Sequence, residues 1–356
     1  MSENQIEETP RESLENPLAR ILGIETSCDE TAAAVVENGR EILSNAVASQ
    51  VDLHAQFGGI FPEVASRQHI LSIYPIVDQA LKDAHLKLSD LDGIAVTRGP
   101  GLPGSLVVGI NMAKGLAIGS GLPLLGINHL EGHLYSAWLA EEGKKKKKAP
   151  RFPLLALIVS GGHTELVLMK DHLVYERLGG TLDDAAGEAF DKIARLLELG
   201  YPGGPVIQEA ALDGDPKAFD FPRSWLDDSF NFSFSGLKTS VLRTVQQLEK
   251  QKSKLPKKDL AASFQAAVVD VLFQKTLRAA EEFGTKDILI AGGVSANQAL
   301  RDKFKGQKKF GVHIPPLFLC TDNAAMIAGV GCYRFQAGQR DNLEMDAAPT
   351  WSISDL

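Results

Sequence analysis

Two stretches of the chain alternate apolar runs and short polar turns in the same way. Ile21, Leu22, Gly23, Ile24 and Glu25 read as a buried strand, residues 26–31 as a small polar turn, and residues 32–36 as a second strand closed by Asn38-Gly39. This is a hairpin with a polar tip. Residues 154–159 repeat the apolar run, followed by the turn Ser160-Gly161-Gly162-His163-Thr164 and a second strand over residues 165–170. The repetition predicts two related α/β lobes whose hairpin tips face a shared cleft.

Helical periods fill the intervals. Ile70, Ile73, Val77 and Leu81 form a stripe at helical spacing, read as core, with Pro75 expected to kink the helix. A short strand over residues 93–96 runs into the turn Arg98-Gly99-Pro100-Gly101 and a helix ending near Gly119; that turn is either a tight connection or an anion site. In the second half, Asp184 is placed to cap a helix that continues through Ile193, with Glu188 and Asp191 on the same face. The glycines of Tyr201-Pro202-Gly203-Gly204-Pro205 let a ligand approach the backbone. The segment Phe234-Ser235-Gly236-Leu237-Lys238 reads either as simple helix capping or as an anion site. A buried strand over residues 287–291 breaks into Gly292-Gly293 before a helix from about Asn297. Two glycines at the carboxyl end of such a strand serve either a nucleotide or close helix packing.

Candidate chemistry begins at His129 and His133. Four residues apart on one helix, both imidazoles share a face and can hold one metal ion; a pair of plain helix histidines is the other reading. The order of residues departs from H-E-x-x-H. The nearest acid, Glu131, is turned to the opposite face of the helix, which argues against a base on metal-bound water. Two histidines need a carboxylate from elsewhere, and Asp322, at the start of the last long helix, is either that ligand or an N-cap.

Bulk properties narrow the setting. The 356 residues, 44% of them hydrophobic, suffice for two domains with substantial cores. Cys28, Cys320 and Cys332 fit neither a disulfide framework nor a zinc knuckle, so a reducing, cytoplasmic compartment is expected. No apolar run reaches the ~20 residues of a membrane span. Residues 1–20 carry five glutamates and read as a disordered acidic tail. A net charge of -8 argues against strong autonomous nucleic-acid binding, so an RNA substrate requires a local basic patch or a partner. The lysine run at positions 144–148 reads as a solvated insertion that could approach RNA phosphates.

Taken in order, the motifs resemble one family. They are residues 23–31, residues 61–69, Gly99-Pro100-Gly101, His129-Leu130-Glu131-Gly132-His133, residues 159–164, residues 183–191, residues 201–205, residues 234–238, residues 292–297 and Thr321-Asp322-Asn323. Their ordered set is similar to the TsaD family of tRNA N6-adenosine threonylcarbamoyltransferases, over about residues 21–338. The departures are the acidic tail, the lysine insertion and Asn128, where some bacterial members have another histidine.

The resemblance implies an α/β fold of the duplicated actin-like ATPase kind (ASKHA, ribonuclease H-like), two lobes around a central cleft. Residues 21–128, joined by part of residues 323–350, form the expected N-terminal lobe, and residues 129–322 form a C-terminal lobe carrying the metal and nucleotide site. It also implies that His129, His133 and Asp322 bind one divalent metal, Fe(2+) or Zn(2+). Ile158, Val159, Ser160, Gly161, Gly162, Asp191, Gly204 and Asn297 are implied to hold threonylcarbamoyl-AMP. The implied reaction moves the threonylcarbamoyl group to N6 of adenosine 37 in the anticodon loop of tRNAs reading codons that begin with A. Implied partners are a paralogous actin-like (TsaB-like) subunit and a small P-loop (TsaE-like) ATPase, with no membrane. Beside these, Asp29 at the first hairpin tip is the expected general base, with turn capping as its alternative role.

Overall fold

A computed structural model describes residues 18–144, 148–226, 228–252 and 254–356. The expected acidic tail lies outside the described residues up to position 17, as does the centre of the lysine run. Its last residues do not belong to a tail. Ala19 is buried and exchanges hydrogen bonds with Asn38, and Arg20 opens the first strand.

The first sheet opens with an antiparallel meander of β1 (Arg20–Glu25), β2 (Glu30–Glu37) and β3 (Glu41–Ser49). Helices α1 (Val51–Ala55) and α2 (Pro62–Asp83) follow, then β4 (Gly93–Gly99), α3 (Pro103–Ser120), β5 (Leu124–Asn128), α4 (His129–Tyr135) and the short β6 (Ala140–Glu141). The second sheet opens with another meander, β7 (Leu154–Val159), β8 (Thr164–Asp171) and β9 (Val174–Gly180). Helices α5 (Ala186–Leu196), α6 (Gly203–Ala211), α7 (Ser235–Lys250) and α8 (Lys257–Glu282) lead to β10 (Asp287–Ala291). The chain closes through α9 (Gln298–Gly306), β11 (Gly311–His313) and α10 (Ala324–Gln336).

Strand order makes the duplication explicit. The sheets run β5-β4-β1-β2-β3-β6 and β11-β10-β7-β8-β9, so each meander has its first strand paired to a parallel strand that pairs to another. The two orders coincide once β6 is set aside. The third strands were not expected from sequence. β3 carries Ser44 and Asn45, and β9 is an exposed edge with Glu176 and Arg177, so neither has an apolar run to announce it.

Between the sheets lies a shared apolar layer. Ile21, Ala32 and Ile127 from the first sheet and Leu154, Ala156 and Val167 from the second pack with Leu130 and Leu134 of α4 and Met326 and Ile327 of α10. Helix α10 covers β1 and β2, while α4 touches β5, β7 and β10. The two helices expected to carry metal ligands are therefore interior elements. On the outer face, α2 buries Ile73 and Val77 but leaves Ile70 63% exposed, which corrects its assignment to the core; Pro75 sits inside the helix without ending it. Among the described residues no helix is long and apolar enough to cross a membrane.

At the far end of the second sheet, Asp287 fastens β10 to both neighbours. Its carboxylate accepts from the backbone N–H of Arg151 at 2.8 Å, from the Arg151 guanidinium at 2.6 Å and from His313 Nε2 at 3.0 Å. Burial would raise this carboxyl, but the hydrogen bonds from Arg151 and His313 bring it down to about 2. Because the folded value lies below the unfolded ~3.9, the stabilisation is present above about pH 4 and is lost as the pH falls through about 2. Replacing Asp287→Asn is expected to lower stability by about 1–2 kcal/mol at pH 7 and by much less near pH 2. Urea midpoints at both pH values check this, and an equal loss at both would refute it.

Candidate metal centre and adjoining cleft

β5 feeds directly into α4 because Asn128 caps the helix, its side-chain oxygen accepting from Leu130 N–H at 2.9 Å and Glu131 N–H at 3.4 Å. His129 is then the first helical residue and His133 lies one turn on, their ring centroids 4.8 Å apart. The N-cap of α10 is Asn323, which accepts from Met326 N–H at 3.0 Å. Asp322 is thereby left free of capping and points at the histidines. Its Oδ1 lies 3.4 Å from His129 Nε2 and 3.3 Å from His133 Nε2.

One ligand atom from each of the three residues falls within 4.8 Å of the others, close enough to hold one metal ion. The donor set fits a borderline cation such as zinc or iron(II). His133 supplies the sharper test. It is fully buried, yet among the described residues neither ring nitrogen has a hydrogen bond of good geometry, and Nε2 has only the Asp322 carboxylate facing it at 3.3 Å. An imidazole so placed is costly unless it ligates something. Burial raises the Asp322 carboxyl, but the facing His129 and His133 outweigh it and hold the group far below the usual carboxylate range. Burial lowers His129, and the charges of Asp322 and Glu25 reverse this and raise it well above an ordinary histidine.

Glu25, read from sequence only as the end of a strand, stands behind this cluster. Its Oε2 accepts from His129 Nδ1 at 2.9 Å and from Thr97 Oγ1 at 2.6 Å, and its Oε1 accepts from Ser27 N–H at 2.5 Å. Glu131, in contrast, is occupied elsewhere. It pairs with Arg334 at 2.8 Å and accepts from Tyr175 Oη at 2.7 Å, so it has no access to the cluster as a base.

The first hairpin tip lies against the same site. Gln50 N–H donates to Asp29 O at 3.0 Å, His69 Nε2 to Cys28 O at 3.0 Å, and Leu102 N–H to Ser27 O at 2.8 Å. Burial, joined by the charges of Asp322 and Asp29, pushes Glu30 up to about 10. Burial also raises Tyr201 and Asp191, and Asp29 adds to both shifts, so Asp29 is in electrostatic reach of both residues. His163, which the sequence reading left without a role, is brought down to about 4 by burial and by His129 and His133.

The second group of expected residues surrounds the end of β7. Ile158 and Val159 are buried strand residues; Ser160 N–H donates to His163 O at 2.8 Å, and Ser160 O accepts from Gly187 N–H at 3.1 Å. A Cβ added at Gly161, Gly162 or Gly204 would meet nothing within 4 Å, so this backbone is open to a ligand. Asp191 of α5 accepts from Gly203 N–H at 2.7 Å, which ties the turn before α6 to the same wall. Asn297 follows the short helical turn after β10, a turn that packs against β7 and α5. Its oxygen caps α9 at Leu300 N–H and its amide donates to Gln265, so its side chain is already engaged.

One local expectation is corrected, and one pair of alternatives is decided in favour of capping. Asp184 does not cap α5, whose N-cap is Ala185; it bridges Lys192 at 2.6 Å and Lys238 at 2.7 Å. Asp183 instead accepts from Phe234 and Ser235 N–H at the start of α7, so the Lys238 region is a cap and a salt bridge. The Arg195 guanidinium of α5 donates to the carbonyl of Gly58 in the first lobe.

A family model described as TsaD, tRNA N6-adenosine threonylcarbamoyltransferase, matches residues 41–329. The chain is 56% identical over 345 residues to the tRNA N6-adenosine threonylcarbamoyltransferase of Thermomicrobium roseum, covering 92% of this chain and 94% of that protein. It is 54% identical over 335 residues to the one from Dehalococcoides mccartyi, covering 94% and 99%. Among solved structures, T. kodakarensis HypF superposes with a TM-score of 0.60 at 16% identity, over 91% of this chain and 49% of that one. Component A of the Acidaminococcus fermentans (R)-2-hydroxyglutaryl-CoA dehydratase gives 0.51 at 16% identity, over 90% and 99%. These structural likenesses concern fold alone, the duplicated two-lobe α/β architecture that the repeated hairpins predict and that the resemblance implies to be of the actin-like kind.

Proposed function

Because the chain belongs to the TsaD family of tRNA N6-adenosine threonylcarbamoyltransferases, we infer that it transfers the threonylcarbamoyl group of threonylcarbamoyl-AMP to N6 of adenosine 37 in tRNAs reading codons that begin with A. The observation that supports this reading is a cluster of two histidines and a carboxylate close enough to hold one ion, with His163 of the bare glycine loop in electrostatic reach of both histidines.

The chemistry asks for such a site. The exocyclic amine of adenine is a poor nucleophile because its lone pair is delocalised into the ring, so the acyl donor must be activated as a mixed anhydride. N6 forms a bond to the carbamoyl carbon, the bond from that carbon to the phosphate oxygen breaks, AMP leaves, and the amine gives up a proton. His129, His133 and Asp322 would hold an Fe(2+) or Zn(2+) ion, which supplies Lewis acidity and a template when bound. Gly161 and Gly162 can present bare N–H groups to the phosphate or to oxyanion charge, with Ile158, Val159 and Ser160 fixing the loop. Asp191, Gly204 and Asn297 complete the proposed adenylate wall. Asp29 accepts the amine proton from the hairpin tip. The target base must leave its stack to enter a closed cleft, which suits an anticodon-loop nucleotide.

Partners follow from surface character. A net charge of -8 leaves RNA docking to local basic groups or to a second protein. Helix α2 exposes Ile70, Leu71 and Tyr74, and Phe57 stacks on Phe61 beside it, an apolar face that supports docking of a TsaB-like subunit. A TsaE-like ATPase and a cytoplasmic location complete the proposal.

The test is transfer of labelled threonylcarbamoyl from the adenylate to a tRNA transcript, with the partners present, by the wild-type protein and by Asp29→Asn. Modification by the wild type and a loss of ~10²-fold or more in the variant are expected. Absence of transfer despite bound metal, partners and intact adenylate would overturn the function. Full-rate transfer by an Asp29→Asn protein would overturn only the base.

A further inference from the structure

Glu25 ends β1 with a fully buried carboxylate, and each donor around it comes from a different direction. Ser27 N–H belongs to the hairpin tip, Thr97 to the neighbouring strand β4, and Nδ1 of His129 to α4. When Nε2 of His129 binds a cation, the one proton left on the ring is on Nδ1. Glu25 is there to accept it at 2.9 Å, with Ser27 Oγ a second neighbour at 3.1 Å. The ring is thereby held with Nε2 toward Asp322, 3.4 Å away.

Charge completes the case. Asp322 alone leaves a bound divalent ion with one positive charge uncompensated in a buried site, and two neutral imidazoles add none. Glu25, one ring away, brings the second negative charge. Carboxylates behind ligating histidines commonly orient the ring and strengthen it as a ligand.

Resting on the reading of His129, His133 and Asp322 as ligands, we propose that Glu25 is a positioning residue that orients His129 and lets the buried cluster hold a divalent metal. Thr97 acts one step further out, by fixing the carboxylate with its hydroxyl. Nothing in the periodicity of β1 marks this role, because Glu25 falls where the strand is buried on all sides.

The experiment is Co2+ titration of the metal-free full-length protein, followed by visible absorption, with Zn2+ competition. Wild type is compared with Glu25→Gln and Thr97→Val. Glu25→Gln is expected to weaken Co2+ by ~10–100-fold and to alter its absorption spectrum. Thr97→Val, which removes the hydroxyl that donates to Glu25, is expected to weaken it ~3-fold or more in a protein whose metal-free melting curve remains cooperative. Wild-type affinity and spectrum in both variants would overturn the role of Glu25 while leaving the ligands in place. A wild-type protein that binds no Co2+ would overturn the metal reading and this proposal with it. If Glu25→Gln does not fold, Thr97→Val decides alone.

Discussion

Asp322→Ala is expected to weaken transition-metal binding by at least ~10²-fold, about 3 kcal/mol, and to abolish tRNA modification, with little effect on the start of α10. The separation of these effects comes from Asn323. Since Asn323 and not Asp322 satisfies Met326 N–H, removing the carboxylate costs the helix no cap. The same removal takes away the carboxylate that faces both Nε2 atoms, at 3.4 and 3.3 Å. His133 then keeps two unpartnered nitrogens in a buried site with nothing to share. Metal content after dialysis, Co2+ titration and the transfer assay give the three readouts. A variant that retains stoichiometric metal at wild-type affinity would exclude this cluster as the centre. His129→Ala is expected to behave alike in metal binding.

The second large effect is expected at Gly292, where strand β10 ends against the neighbouring strand. Gly292 has φ of +89°, and a Cβ there would lie 2.5 Å from Val159 O and 2.9 Å from Val159 C. With ψ of 165° this positive-φ backbone is one that essentially only glycine adopts, which costs an alanine about 1–3 kcal/mol, and displacing strand backbone adds to it. Gly292→Ala is expected to destabilise the second lobe by about 3 kcal/mol and to weaken AMP binding by ~10²-fold. The reason lies in adjacency. Val159 is followed directly by Ser160 and Gly161, whose other side is packed on Gly187, so a shift of Val159 has no room to dissipate. Gly293→Ala is the control, since its Cβ would meet nothing within 4 Å. Thermal melting and AMP calorimetry measure both, and equal behaviour of the two variants would refute the packing account.

How much of this was legible in the sequence depended on whether a signal was local. The hairpins, the glycine loops and the four-residue spacing of His129 and His133 are local, and each was read from its own segment. Asp322 is distant in the chain, so its own segment leaves ligand and N-cap as equal readings, and resemblance to a family favours the ligand. Glu25 was missed for a different reason. It closes a strand that reads as buried, but its partners Ser27, Thr97 and His129 come from three separate parts of the chain, so nothing local says what its carboxylate meets. Helix caps failed where tertiary partners intervened: Asp184 had two lysines to meet, and Asp183 found the start of α7. Ile70 kept helical spacing yet faces outward, because a periodic stripe gives the width of an apolar face without saying what covers it.

The apolar layer shared by the sheets also fixes how the two lobes can move. They are not two bodies on a string; they are arms joined at a common fulcrum made of α4 and α10. In any such lever the pivot travels least and the tips travel most. His133 and His129 lie on one of these helices and Asp322 precedes the other, whereas Arg195 and Gly58 meet outside the shared layer. A hinge motion about that layer would part Arg195 from Gly58 before it changed the spacing of the three ligands.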